Sequence, residues 1–183
     1  MIALLRTLFL LRGWGRRRSR VGIHDLATIR LRAWPADIDV LGHVNNGIYL
    51  TLMDLGRLDL LLRTGLWPRM RALGIYPVVR SSTVTYRKSI QLWQRFTLES
   101  KVVGWDDRTV YLEQRFVVRG EVWARGIVRG SFLRKGEGPL LTARLRELLG
   151  VDAEPFPPSP ELARWATEVA LPSTRAAAPS VWE

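Results

Sequence analysis

Between Gly47 and Gly65 the chain reads GIYLTLMDLGRLDLLLRTG, and no other stretch constrains the fold as strongly. Its length and Leu/Met content predict a helix, with Gly65 as the stop. On the helical wheel Ile48, Leu52, Leu55 and Leu62 form one apolar row, and Tyr49, Met53, Gly56 and Leu60 a second, so nearly every face is apolar. The few charges have partners at helical spacing, Asp54 with Arg57 and Asp59 with Arg63. A helix of that kind must be enclosed on most sides.

The flanking sequence supplies the enclosure. Ala27–Trp34 alternates apolar and basic residues and predicts a half-exposed strand closed by Pro35. Four further strands are predicted over Tyr76–Tyr86, Arg95–Gly104, Arg108–Arg119 and Val122–Arg134. In the last of these Val122, Ala124, Gly126, Val128 and Gly130 share a face, and residues that small let a thick helix sit close. One strand, a long buried helix and four consecutive strands make an α+β fold, a five-stranded antiparallel sheet curled around a central helix. Such a sheet leaves edges unpaired, which dimerisation cures. Leu141–Leu149 reads as a short helix, Glu154–Pro160 as a linker and Glu161–Ala170 as one more helical turn or two. The chain divides into a leader over 1–24, a domain over 25–150 and a Pro-rich extension over 151–183.

Charge narrows the function classes. The 183 residues carry 28 Lys and Arg against 17 Asp and Glu, a net charge of +11. No acid precedes Asp25, and six arginines lie before it, leaving +5 for the rest. The sheet lacks the interleaved aromatic and basic pattern of an RNA-binding face, so nucleic acid is set aside as a partner. With no cysteine, a disulfide framework and a thiol nucleophile are excluded; with two histidines, His24 and His43, a zinc site is poorly supplied. No G-x-S-x-G elbow of a serine hydrolase is present. Neither metal nor cofactor is expected.

The leader's apolar start, Met1–Leu11, extends about 16 Å as a helix and cannot span a bilayer. Its arginines follow the apolar run, the reverse of a secretory signal. A docked terminus, a transit peptide and contact of residues 1–20 with an anionic membrane surface all fit. The expected location is cytoplasmic, with membrane association through that segment.

The stretch that carries chemistry is Asp37-Ile38-Asp39-Val40-Leu41-Gly42-His43-Val44-Asn45-Asn46-Gly47-Ile48-Tyr49. Two carboxylates stand just before a helix start, Asn45 or Asn46 can cap its first turn, and the uncapped N–H groups there carry partial positive charge. An oxyanion can be stabilised at such a place. On residues alone, Asp37 and Asp39 equally suit a turn and a helix N-terminus, and His43 a structural histidine.

DIDVLGHVNNGIYLTLMDLGR resembles the active-site signature of hotdog-fold thioesterases related to 4-hydroxybenzoyl-CoA thioesterase, in particular the long-chain acyl-CoA branch with D-x-D-x-x-G-H-V-N-N-x-x-Y. Val84–Val103 is similar to the second and third strands of that family, and the likeness covers about Ala27 to Lys135. It implies acyl-CoA hydrolysis in a homodimer, or a tetramer of dimers, with each site at a subunit interface. Asp39 takes the place of the catalytic carboxylate, as nucleophile or as general base. Asn46 takes that of the backbone donor to the carbonyl oxygen. Gly42 allows close approach, Asn45 caps, and His43 and Tyr49 line or brace the site. Arg87 and Lys88, with Arg80, fall where relatives hold CoA phosphates, and Leu52, Met53 and Leu55 could bound an acyl tunnel or belong to the core. Several relatives carry Tyr or His at the position of Asn46 and a basic-Pro pair where this chain has Lys88-Ser89. A second branch uses a helix carboxylate, for which Asp54 and Asp59 are the candidates. A hydratase of this fold needs His where Val44 stands. A non-catalytic acyl-binding scaffold is the alternative reading.

Overall fold

The computed structural model describes residues 18–152, 154, 156–173 and 176–180. The apolar leader expectation therefore falls, up to residue 17, outside the described residues. The long helix is present as α1 (Asn46–Arg63), capped by Asn45 and ended at Thr64 and Gly65, whose φ of +74° suits glycine. Around it curls one antiparallel sheet of β1 (Ala27–Arg32), β2 (Ile75–Tyr86), β3 (Arg95–Trp105), β4 (Val110–Val118) and β5 (Glu121–Arg134), in the order β1-β3-β4-β5-β2. A two-residue β6 (Gly138–Pro139) adds to β5, one strand more than the sequence suggests.

The small residues of β5 act as expected. A Cβ on Gly126 would stand 2.3 Å from the Met53 methyl, so α1 rests directly on the strand there. Gly56 is the matching concession on the helix, where a Cβ would meet Gln114 and Ser100 at 2.5 and 2.6 Å. Leu52, Met53 and Leu55 all lie in the main core with Tyr49, Leu98, Phe116 and Val128. Gln114 is buried among them without solvent contact. Its amide donates to Met53 O and Ser100 Oγ, and its carbonyl accepts from Arg57, so the polar group is satisfied.

Three shorter elements close the open end of the sheet. α2 (Leu66–Ala72) follows α1 after Gly65 and was not legible, since seven residues hold no full apolar repeat. With α3 (Thr142–Leu149) it forms a second core around Met70, Ile75, Leu140, Leu145 and Leu149. The Glu154–Pro160 stretch packs closely where described: Trp105 N–H donates to Phe156 O at 2.7 Å, and Pro158 lies against Gly104. α4 (Pro160–Glu168) is then pinned by Arg129, which donates to Ala166 O. Among the described residues no helix is long and apolar enough to cross a membrane.

Candidate active site

The two carboxylates that precede α1 have different surroundings. Asp37 is buried in a 3-10 turn (Pro35–Asp37), where Oδ2 accepts from Trp34 N–H at 2.8 Å and its carbonyl accepts from Asn45 N–H at 2.8 Å. It is a structural anchor that aims the chain into the helix. Asp39 opens a four-residue turn closed by Gly42 N–H on Asp39 O at 3.0 Å. Gly42 has φ +82°, and a Cβ there would meet nothing within 4 Å, so conformation and not crowding calls for glycine.

Within that turn Asp39 Oδ1 accepts from Leu41 N–H at 2.9 Å, and Oδ2 lies 3.4 Å from His43 Nδ1. The Asp39 side chain is about one-fifth exposed, open enough for a reactant yet held from two directions. The turn is itself fastened to its surroundings. Ile38 pairs with Val44 and His43 with Gln91 in antiparallel bridges, and Val44 N–H donates to Ile90 O. Ile90 N–H in turn donates to the Tyr49 hydroxyl at 3.4 Å. Tyr49 is buried, edge-on to Tyr86 and Phe116, and burial raises its phenol pKa. Tyr49 therefore braces the loop from below and does not face the opening.

At the start of α1, Asn45 Oδ1 accepts from Gly47 N–H at 2.9 Å and serves as the cap. Asn46 is the first helical residue and exposed; its N–H makes no hydrogen bond among the described residues, and its carbonyl accepts from the Tyr86 hydroxyl at 3.2 Å. A carboxylate and an unused donor at a helix N-terminus are thus presented by one short loop.

The cations expected at CoA phosphates have protein partners in the structure. Arg87 and Lys88 both reach Glu121, at 2.6 and 2.7 Å, and Trp123 Nε1 adds a third bond. Hydrogen bonds from Lys88 and Arg87 hold the exposed Glu121 carboxyl down to about 2. Arg80 donates to Ser131 Oγ beside a β-bulge in β2. The helix carboxylates are equally committed. Asp54 pairs with Arg57, and Asp59 is enclosed between Arg18 at 2.9 Å and Arg63 at 3.5 Å.

Sequence reasoning did not find an apolar cavity of about 240 Å³ on the C-terminal half of α1, lined by Leu58, Leu61, Trp67, Met70, Val78 and Leu149 among others. Leu52, Met53 and Leu55 do not line it. α2, which contributes Leu66, Trp67 and Met70 to its wall, is too short to display an apolar repeat in the sequence. No group of three or more His, Asp or Glu able to hold a metal occurs among the described residues.

Comparison with known proteins agrees with this architecture. A protein of Xenopus laevis named Protein THEM6 is 41% identical over 83 residues, 45% of this chain and 40% of that protein. Thioesterase lcsJ of Purpureocillium lilacinum is 29% identical over 104 residues, 46% of this chain and 34% of that one. The chain spans about half the length, or less, of the curated relatives it matches. Among solved structures, the YbaW probable thioesterase of Escherichia coli superposes with a TM-score of 0.63 at 24% identity, covering 69% of this chain and 98% of that one. A gentisyl-coenzyme A thioesterase, BH1999, superposes at 0.58 with 18% identity, covering 67% and 99%. These likenesses show the hotdog fold. A family model described as the thioesterase-like superfamily matches residues 33–166, and to that superfamily the chain belongs.

Proposed function

We propose that this protein hydrolyses acyl-CoA thioesters to the free acid and CoA. The observation that supports the reading is one short loop that carries the partly exposed Asp39 carboxylate and leads into the Asn46 N–H at the start of α1. A thioester carbonyl has little resonance stabilisation and thiolate leaves readily, so a minimal site suffices. Asp39 either attacks the carbonyl carbon, expelling the CoA thiolate and leaving an anhydride that water opens, or takes a proton from a water that attacks instead. In both routes negative charge develops on the carbonyl oxygen, where the Asn46 N–H receives it, a contribution of about 10²–10³ in rate. His43 orients Asp39 through Oδ2, Gly42 shapes the turn, and Asn45 and Tyr49 hold the helix start in place.

Further features fit the same substrate. Arg87 and Lys88 take CoA phosphates by exchanging Glu121 for them. The acyl chain runs along α1 toward the cavity at Leu58 and Leu61, about 18 Å of helix axis from Asn46. β2 is a twelve-residue edge strand with Tyr76, Val79 and Tyr86 exposed, and pairing with a second copy would cover it, which supports a homodimer, or a tetramer of dimers.

The test is thiol release from a panel of acyl-CoA chain lengths by the wild type and by Asp39→Asn. Turnover that the variant loses supports the proposal. Binding of acyl-CoA without turnover by the wild type favours a non-catalytic acyl-binding protein, and equal rates remove Asp39 from the chemistry.

A further inference from the structure

The outer surface of the sheet carries a charge cluster that the proposed reaction does not use. Arg30 and Arg32 of β1, Arg95 of β3 and Arg119 after β4 line a groove of about 400 Å³, and its remaining lining is Leu31, Phe96, Thr97 and Val117, with no acid among them. Arg32 and Arg95 face each other directly across the β1–β3 ladder, an arrangement of like charges that costs stability. Arg119 stands two residues beyond Val117, the partner of Thr97, and so continues the same row across a third strand. Arg30, Arg95 and Arg119 have no ion pair among the described residues.

An apolar rim adjoins this row. Arg32 Nε donates to Trp93 O, its guanidinium lies 5.1 Å over the Trp93 ring, and Trp93 meets Trp34 edge-on at 5.5 Å. Both tryptophans are nearly half exposed, as is Leu92 beside them. The loop that follows Trp34 ends in the Asp39–Gly42 turn, whose tip residues Val40 and Leu41 are 101% and 74% exposed.

We propose that this face docks on the anionic surface of a lipid bilayer. Arginine stems reach along apolar surface while their heads meet lipid phosphates, and tryptophan settles at the headgroup level. Val40, Leu41 and Leu92 then enter the boundary of the acyl region. Nucleic acid fits less well, because the two tryptophans are packed on each other with Arg32 over one of them and offer no open stacking platform, and aliphatic tips do not read bases. The proposal concerns described residues apart from the leader and stands whether or not the chain is a thioesterase.

The experiment is sedimentation of the full-length chain with vesicles of phosphatidylcholine alone and of phosphatidylcholine mixed with phosphatidylserine. The wild type is expected to pellet with the mixed vesicles only. Each cation near such a surface is worth about five-fold in partition, so Arg30→Glu with Arg95→Glu lowers binding by at least about twenty-fold. Trp34→Ala with Trp93→Ala also weakens it, while Arg71→Glu on α2, away from the face, leaves it within about two-fold of the wild type. Thermal unfolding of each variant confirms that the fold is kept, and every variant retains the leader. Unchanged pelleting of the Arg30/Arg95 variant overturns the proposal. So does an equal loss in the Arg71 variant.

Discussion

Asp59, with no solvent exposure one turn before the end of α1, accepts a hydrogen bond at 2.9 Å from Arg18, 41 residues earlier in the chain. Burial raises the Asp59 pKa while Arg18 and Arg63 oppose the rise. Arg18 also donates to Thr28 O in β1, and Arg63 Nε donates to Ser19 O at 2.9 Å, so the three residues lash the chain before β1 to the helix. Removing one member leaves buried charge uncompensated, and Asp59→Ala is expected to cost about 3–5 kcal/mol in urea unfolding. Arg18→Ala should cost less, because its guanidinium is partly exposed.

Helix propensity and packing make opposite predictions at Gly56. Alanine in a helix interior is worth about 1 kcal/mol over glycine. Here its Cβ would stand 2.5 Å from Gln114 Nε2 and 2.9 Å from a Leu98 methyl, inside a satisfied polar network with no room to yield. Packing wins, and Gly56→Ala is expected to lose about 1–3 kcal/mol net, read as a lower urea midpoint with unchanged slope.

If Asp39 acts on the thioester, Asp39→Asn keeps the hydrogen bond from Leu41 N–H through its amide oxygen and removes only the basic oxygen. The expected loss is about 10²–10⁴ in kcat with unchanged thermal stability. Asp37→Asn instead alters a buried turn, and its effect should appear first in unfolding curves.

Chain-length preference tests the cavity. Leu61→Trp projects bulk into the space bounded by Trp67 and Met70. The rate on the longest acyl-CoA that the wild type accepts should fall at least about 10-fold, with short chains unaffected. A uniform loss over all chain lengths would separate the cavity from the acyl group.

Acid stability should depend on Asp106. Burial opposes its ionisation, but hydrogen bonds from the Tyr111 and Thr109 hydroxyls and from the Arg108 and Thr109 N–H groups outweigh this and hold its pKa below the ordinary 3.8. A carboxyl depressed on folding contributes stability that is present above its unfolded pKa and is lost as pH falls through the folded one. Urea midpoints should therefore drop on acidification below 3.8, and Asp106→Asn should flatten that part of the profile.

The long helix, its enclosure and the five principal strands were legible because each has a period that neighbouring residues display, 3.6 in α1 and 2 in the strands. The same local reading found the Asp54–Arg57 and Asp59–Arg63 pairs, and the small face of β5 announced the close approach of Met53 to Gly126. Local reading could not rank Asp37 against Asp39, since both precede the helix. Tertiary structure separates them by burying Asp37, which accepts from the Trp34 and Asn45 N–H groups, and leaving Asp39 partly exposed beside His43. Arg18 on Asp59, Glu121 on Arg87 and Lys88, and the arginine row across β1, β3 and β4 are likewise products of the fold. Sequence periodicity determines which face of an element turns inward. Which distant side chains then meet is decided only when the sheet closes on the helix and sets the distances between them.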